Sequence, residues 1–173
     1  MSPTVIEQAL KKLVGLPLRC VGRATNMLWL QFGEMREVPA FRGGMRTVGQ
    51  WAIHVQCAWR VCRRGQIEVA YRDYYYSPEG DALDDDWDIP GKSRFDHLAE
   101  ILNGVLDETS PSVVSVTTDD VGGFSLSLSH DYRLDVFPGE TSRDNSSEHW
   151  RLFEPASDRE HFVVPSDGTP GLH

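Results

Sequence analysis

Three short constellations in this 173-residue chain hold residue types that can do chemistry. His97 and Glu100 stand three apart, so a helix would put them on one face, where such a pair can ligate a metal or act as acid and base. No second His-x-x-Glu pair is present to complete a di-metal set, and the two read as a surface pair on an amphipathic helix. Asp84, Asp86 and Asp88 alternate as the first three ligands of a calcium loop do. The position that should be glycine is Ile89, and the position that should be a bidentate Glu is Phe95, so a solvated acidic loop is the better reading. Ser129-His130-Asp131 contains the residue types of a catalytic triad. Adjacent side chains point apart, however, and the three residues suit a hairpin turn. A Gly-rich phosphate loop, a Gly-x-Ser-x-Gly elbow and a His-Glu-x-x-His motif are all missing. The sequence thus names no catalytic residue, no metal ligand and no cofactor, and the reading leans toward a non-enzymatic protein.

The aromatic residues carry more signal. Tyr74-Tyr75-Tyr76 leads into an acidic loop, residues 77–92, that contains Asp84, Asp85, Asp86 and Trp87. If Ile67–Tyr76 is a strand, Tyr74 and Tyr76 share one face with Arg72, while Tyr75 shares the other with Tyr71 and Asp73. One of those faces then shows rings beside charge, a composition favoured at protein interfaces. A nucleic-acid stacking platform would interleave cations with the rings, whereas the neighbours here are Asp73, Glu79 and Asp81.

Two amphipathic helices and a set of short strands must position these residues. Val5, Ile6, Ala9, Leu10, Leu13 and Val14 recur at helical spacing over about 3–14, with Ser2 as N-cap and Pro3 at the first helical position. Phe95, Leu98, Ile101, Leu102, Val105 and Leu106 define a second helix over about 94–106, opened by a Ser93–Asp96 capping box. Between the helices, Trp51–Val61 alternates for eleven residues as a single strand, with Arg63–Gln66 as the turn into Ile67–Tyr76. Residues 34–50 read as a long loop. Leu18–Ala24, Met27–Phe32, Val113–Thr118, Phe124–Leu128, Tyr132–Phe137, Trp150–Phe153 and Phe162–Val164 complete about seven to nine short strands. The expected fold is α+β with a mostly antiparallel sheet, as one domain over residues 1–165 and a flexible tail over 166–173.

Composition bounds the class. With 40% hydrophobic residues the chain can build a core, which excludes disorder throughout. The longest apolar stretch falls short of the roughly 20 residues of a membrane-spanning helix, and the first residues lack the pattern of a secretory signal. Cys20, Cys57 and Cys62 are odd in number and lack a Cys-x-x-Cys spacing, which fits a reducing cytoplasm. The net charge of −9 argues against nucleic acid as the main partner. That charge is unevenly spread. Residues 1–65 hold 10 Lys+Arg and 3 Asp+Glu, a net of +7, and residues 66–173 hold 7 and 23, a net of −16.

The segments Tyr132–Phe137-Pro138, Glu148–Pro155 and His161–Val164, with Val14–Pro17 and the Trp51–Val61 run, resemble a class of small bacterial proteins grouped as domains of unknown function. That class is similar to the immunity proteins of polymorphic toxin systems. The resemblance implies a cytoplasmic protein-binding role and carries no catalytic residue.

The leading expectation is a module that binds another protein through Tyr74, Tyr76, Asp84, Asp85, Asp86 and Trp87. The rival expectation is a small-molecule site or enzyme in which His54, Gln56, Arg60 and Arg72 converge between sheet and helices. A third is a homodimeric structural module.

Overall fold

The computed structural model describes residues 3–140, 147–166 and 170–173. Helix α1 spans Pro3–Leu10 and continues as a 3-10 turn over Lys11–Leu13, burying Ile6, Leu10 and Leu13 completely. Ser2, the expected N-cap, lies outside the described residues. Helix α2 spans Arg94–Thr109. Its capping box forms as expected: the Asp96 amide donates to Ser93 Oγ at 3.2 Å, and the Ser93 amide donates to Asp96 Oδ2 at 3.3 Å. The helix runs past residue 106 because only Ser110, held off the helical region by Pro111, ends it, in the left-handed region at φ 45°.

Antiparallel strands make up the rest. A six-stranded sheet contains β1 (Leu18–Ala24), β2 (Met27–Phe32), β5 (Trp51–Val55), β11 (Glu148–Phe153), β12 (Phe162–Pro165) and β13 (Gly171–Leu172), in the order β1-β2-β5-β11-β12-β13. A five-stranded sheet contains β6 (Ala58–Arg63), β7 (Gln66–Ala70), β8 (Val113–Thr118), β9 (Phe124–Leu128) and β10 (Tyr132–Phe137), in the order β7-β6-β10-β9-β8. Strands β3 (Arg36–Pro39) and β4 (Met45–Val48) pair only with each other. The α+β class and the antiparallel pairing agree with the sequence reading; the thirteen strands described exceed the expected number.

One core joins the two sheets. It takes Leu28, Leu30, Ile53, Val55, Trp150 and Leu152 from the first, and Trp59, Val61, Leu126, Leu134 and Val136 from the second. Helix α2 packs on β1 and on β7, an edge strand of each sheet. Its Asn103 side chain accepts from the Val21 amide and donates to the Val21 carbonyl, both at 2.9 Å. A side-chain amide thereby takes the place of a neighbouring strand at the β1 edge, which would otherwise present unpaired backbone groups.

Four expectations need correction. The alternating run Trp51–Val61 is two strands in different sheets. The chain leaves β5 at Gln56, whose amide donates to the His149 carbonyl, and begins pairing with β10 at Ala58. The core face carries on across the break, with Ile53 and Val55 followed by Trp59 and Val61, so alternation alone cannot reveal it. Residues 34–50 are not one loop but include the β3–β4 hairpin. Its strands are almost wholly exposed and so show no apolar periodicity. The partner strand of β6 stops at Ala70, and Tyr71–Tyr75 form a 3-10 turn. Asp73 Oδ2 accepts from the Ala70 amide at 2.8 Å, a local bond that diverts the chain from the ladder. The tail expected to be free over 166–173 pairs with β12 through Gly171–Leu172.

Candidate functional site

The 3-10 turn at Tyr71–Tyr75 redistributes the tyrosines. In the fold Tyr74 is fully buried, packing on Phe95 at 4.7 Å and on Trp59 at 5.8 Å between ring centroids. It belongs to the core and cannot contact a partner, contrary to the sequence reading. Tyr76 is half-buried, with the Arg94 guanidinium over its ring at 5.6 Å. Tyr71 and Tyr75 stay at the surface, and Tyr75 meets Trp87 at 5.3 Å. Trp87 is half-buried and rests against the core.

The acidic loop is pinned at both ends. At its start Tyr76 bridges to Ala82, and the Leu83 amide donates to the Tyr75 carbonyl at 3.0 Å, folding the loop back over the 3-10 turn. At its end the Arg23 guanidinium, from β1, donates from Nε and Nη2 to the two Asp96 carboxylate oxygens, each at 2.7 Å. Arg23 also donates to the carbonyls of Thr25 and Ile89, while Asp96 Oδ2 accepts from the Gly91 amide. Burial pushes the Asp96 carboxyl up. The guanidinium and Ser93 outweigh that and hold its pKa below the usual carboxylate range.

Between these anchors Asp84–Asp86 form a 3-10 turn with all three side chains exposed. Asp84 sits at φ 43°, a left-handed conformation that Asp tolerates better than most residues. Asp86 pairs with Lys92 at 2.7 Å, and Arg94 is engaged by Asp73 at 3.5 Å. Among the described residues, Asp84 and Asp85 have no ion-pair partner. The result is a fixed surface: two unmatched carboxylates, a third matched one, and the edge of a Trp–Tyr ring pair. Among the described residues, no group of three or more His, Cys, Asp or Glu side chains could hold a metal.

The four polar residues expected to line a ligand cavity are dispersed. His54 lies on the outer face of the six-stranded sheet, its ring edge against Phe153 at 4.7 Å. Gln56, in the link between the sheets, donates to Glu148 Oε1 at 3.0 Å. Arg60 lies on the other sheet, where it donates to the buried Asp135 at 2.8 Å and covers the Phe137 ring. Arg72 is exposed beside the hydroxyls of Tyr76 and Tyr71, which raise its pKa. Sheet alternation placed His54 and Arg60 together only because it assumed one strand.

The other constellations resolve as expected. His97 and Glu100 are exposed on α2, and His130-Asp131 form a left-handed hairpin turn between β9 and β10. The three thiols are unpaired. Burial pushes Cys57 up to about 12 and Cys20 upward too, which disfavours the reactive thiolate at both.

A cluster that the sequence reading missed covers the outer face of the six-stranded sheet. Arg151 grips Glu148 with two bonds of 2.6 Å and approaches His161 Nδ1 at 3.3 Å, while His161 stacks on Phe153 at 4.4 Å. Glu148, Arg151 and Phe153 share β11, and the register of β11 with β5 and β12 brings His54 and His161 to them. Burial and the Arg151 charge lower the His54 pKa to about 4, with His161 adding to the effect and Glu148 opposing it. His161 and His149 are lowered too, mainly by burial. Between pH ~6.5 and 4 the unfolded chain therefore binds more protons than the folded one, and stability must fall as the pH falls through that window. The thermal midpoint should drop on acidification from neutral pH to about pH 4, and His54→Phe should lessen the drop. An unchanged slope in His54→Phe would refute the assignment to His54.

Across the described residues, no helix is long and apolar enough to cross a membrane. Comparison of the chain with protein-family models, curated proteins and solved structures finds no match.

Proposed function

We propose that the protein is a non-enzymatic binding module whose ligand is a basic protein, held on the surface formed by Asp84, Asp85, Asp86, Trp87 and Tyr75. The observation that carries the reading is the pair of exposed carboxylates at Asp84 and Asp85, without a cation partner among the described residues, in a loop that is otherwise closely bonded. A fixed loop loses little conformational freedom on binding, and unmatched surface charge steers an oppositely charged partner. Trp87 and Tyr75 supply the ring area that interfaces favour. An immunity-type inhibitor is the concrete form. Enzymes that attack nucleic acid carry basic surfaces, and an acidic protein masks them by complementarity. Three unpaired thiols suit a reducing compartment such as the cytoplasm.

The reading is tested by capturing the partner on the tagged chain, identifying it, and titrating the purified pair by calorimetry. Asp84→Lys/Asp85→Lys should weaken binding at least about ten-fold, or ~1.4 kcal/mol, and wild-type affinity should fall with salt. A partner held equally well by the variant, at low and at high salt, would remove the acidic loop from the interface.

A further inference from the structure

We propose that the β3–β4 hairpin is a docking finger whose tip seats on the acidic–aromatic surface of a second copy of this chain. The acceptor half rests on the reading of that surface given above; the finger rests on observations of its own.

The tip holds Phe41, fully exposed, and Met45, more than half exposed. Other apolar side chains, Ile67, Val114, Val121 and Leu172 among them, are also exposed, but among the described residues none is as fully exposed as Phe41. Arg42 and Arg46 flank them, both exposed and without an ion-pair partner among the described residues. The base of the hairpin differs, because Arg36 is matched there by Glu34 at 3.0 Å. The cationic character thus concentrates at the tip.

The tip is preformed. Ladder pairs run from Arg36↔Val48 to Pro39↔Met45. The Ala40 amide donates to the Gly44 carbonyl and the Gly43 amide to the Ala40 carbonyl, each at 3.0 Å. Gly43 and Gly44 make the reversal at φ +87° and +81°, values that residues with a Cβ rarely adopt. Little ordering remains to be done on binding.

The chemistry then specifies the counter-surface. Two guanidinium groups call for carboxylates that are not already matched, and a Phe beside a Met calls for aromatic rings. This chain displays that combination at Asp84 and Asp85 next to Trp87 and Tyr75. Nucleic acid or an anionic membrane would meet the same arginines, but the net charge of −9 repels a polyanion. The contact joins unlike surfaces, so it closes by reciprocal exchange between two copies or propagates head to tail. A basic partner and a second copy would compete for one site.

The test uses the purified chain alone, with mass followed against concentration by light scattering or sedimentation. Association should rise with concentration and weaken when salt is raised from about 0.1 M to 1 M, where the screening length falls from ~10 to ~3 Å. Arg42→Glu/Arg46→Glu and Asp84→Arg/Asp85→Arg should each be monomeric, and mixing the two should restore a complex through the swapped charges. Phe41→Ser should weaken association while leaving net charge and thermal midpoint unchanged. A monomer at every concentration, association indifferent to Arg42→Glu/Arg46→Glu, or no recovery on mixing would each overturn the proposal. So would a monomeric chain that uses Phe41, Arg42 and Arg46 to bind a single-stranded RNA oligomer or anionic vesicles. None of these results needs the basic partner. Loss of the finger with partner capture intact would be distinguishable from the reverse.

Discussion

Replacing Arg23 by alanine should cost the fold about 3–5 kcal/mol and release the end of the acidic loop. The Arg23 side chain is 6% exposed and that of Asp96 17%, so the pair is largely removed from water. Deleting one member leaves the other charge buried without compensation, which is the costly way to disturb such a pair. Four groups depend on this guanidinium: the Asp96 carboxylate at the first turn of α2, the Thr25 and Ile89 carbonyls, and the Tyr74 ring beneath it at 5.7 Å. Asp96 in turn holds the Gly91 and Ser93 amides. Urea denaturation should show the loss, and limited proteolysis should show new cleavage around residues 88–92. Arg23→Lys should recover only part of it, since an ammonium cannot span both carboxylate oxygens. A loss below about 1 kcal/mol, with the loop still resistant to protease, would mean that the pair does not hold the loop.

Trp150→Ala should be comparably severe, at about 3–5 kcal/mol. The Trp150 side chain is wholly buried and packs on Phe124 of the five-stranded sheet at 4.8 Å and on Phe162 of the six-stranded sheet at 5.8 Å. It therefore closes the space between the sheets, and its removal leaves a cavity that neither sheet can fill alone. Its indole N–H also donates to the Gly122 carbonyl at 2.7 Å. Trp150→Phe separates the two contributions. It keeps most of the ring and orphans the carbonyl, for about 1–3 kcal/mol. Against a typical domain stability of about 5–15 kcal/mol, Trp150→Ala leaves little margin. The denaturant midpoint should fall with the slope unchanged. Near-wild-type stability in Trp150→Ala would contradict a core shared between the sheets.

Much of the local structure was legible because it depends on near neighbours. The Ser93–Asp96 capping box needs residues three apart, and the His130-Asp131 turn needs two residues that tolerate the left-handed region. The β1, β2, β8, β9 and β10 bounds follow from apolar runs broken by turn residues. The candidate site was legible only in part. Asp84, Asp85, Asp86 and Trp87 stand exposed or half-exposed in the loop where the sequence places them. Tyr74 and Tyr75 exchange roles, because a 3-10 turn groups residues three apart where a strand groups residues two apart.

By itself the sequence determined what local chemistry decides: an antiparallel α+β chain, the capping box of α2, hairpin turns, and an acidic loop beside aromatic residues. Tertiary structure decided whatever depends on which distant segment lies alongside. The split of Trp51–Val61 between two sheets follows from β5 meeting β11 and β6 meeting β10, a choice made by strand partners about 70 to 100 residues away in the chain. The Arg23–Asp96 pair, 73 residues apart, and the Asn103–Val21 edge contact, 82 apart, exist because α2 packs across β1. Alternation and capping are periodic signals, whereas a salt bridge between distant segments leaves no period in the sequence. The loop's composition was therefore readable from its residues, and its fixed shape became visible only once the strand that supplies Arg23 was in place.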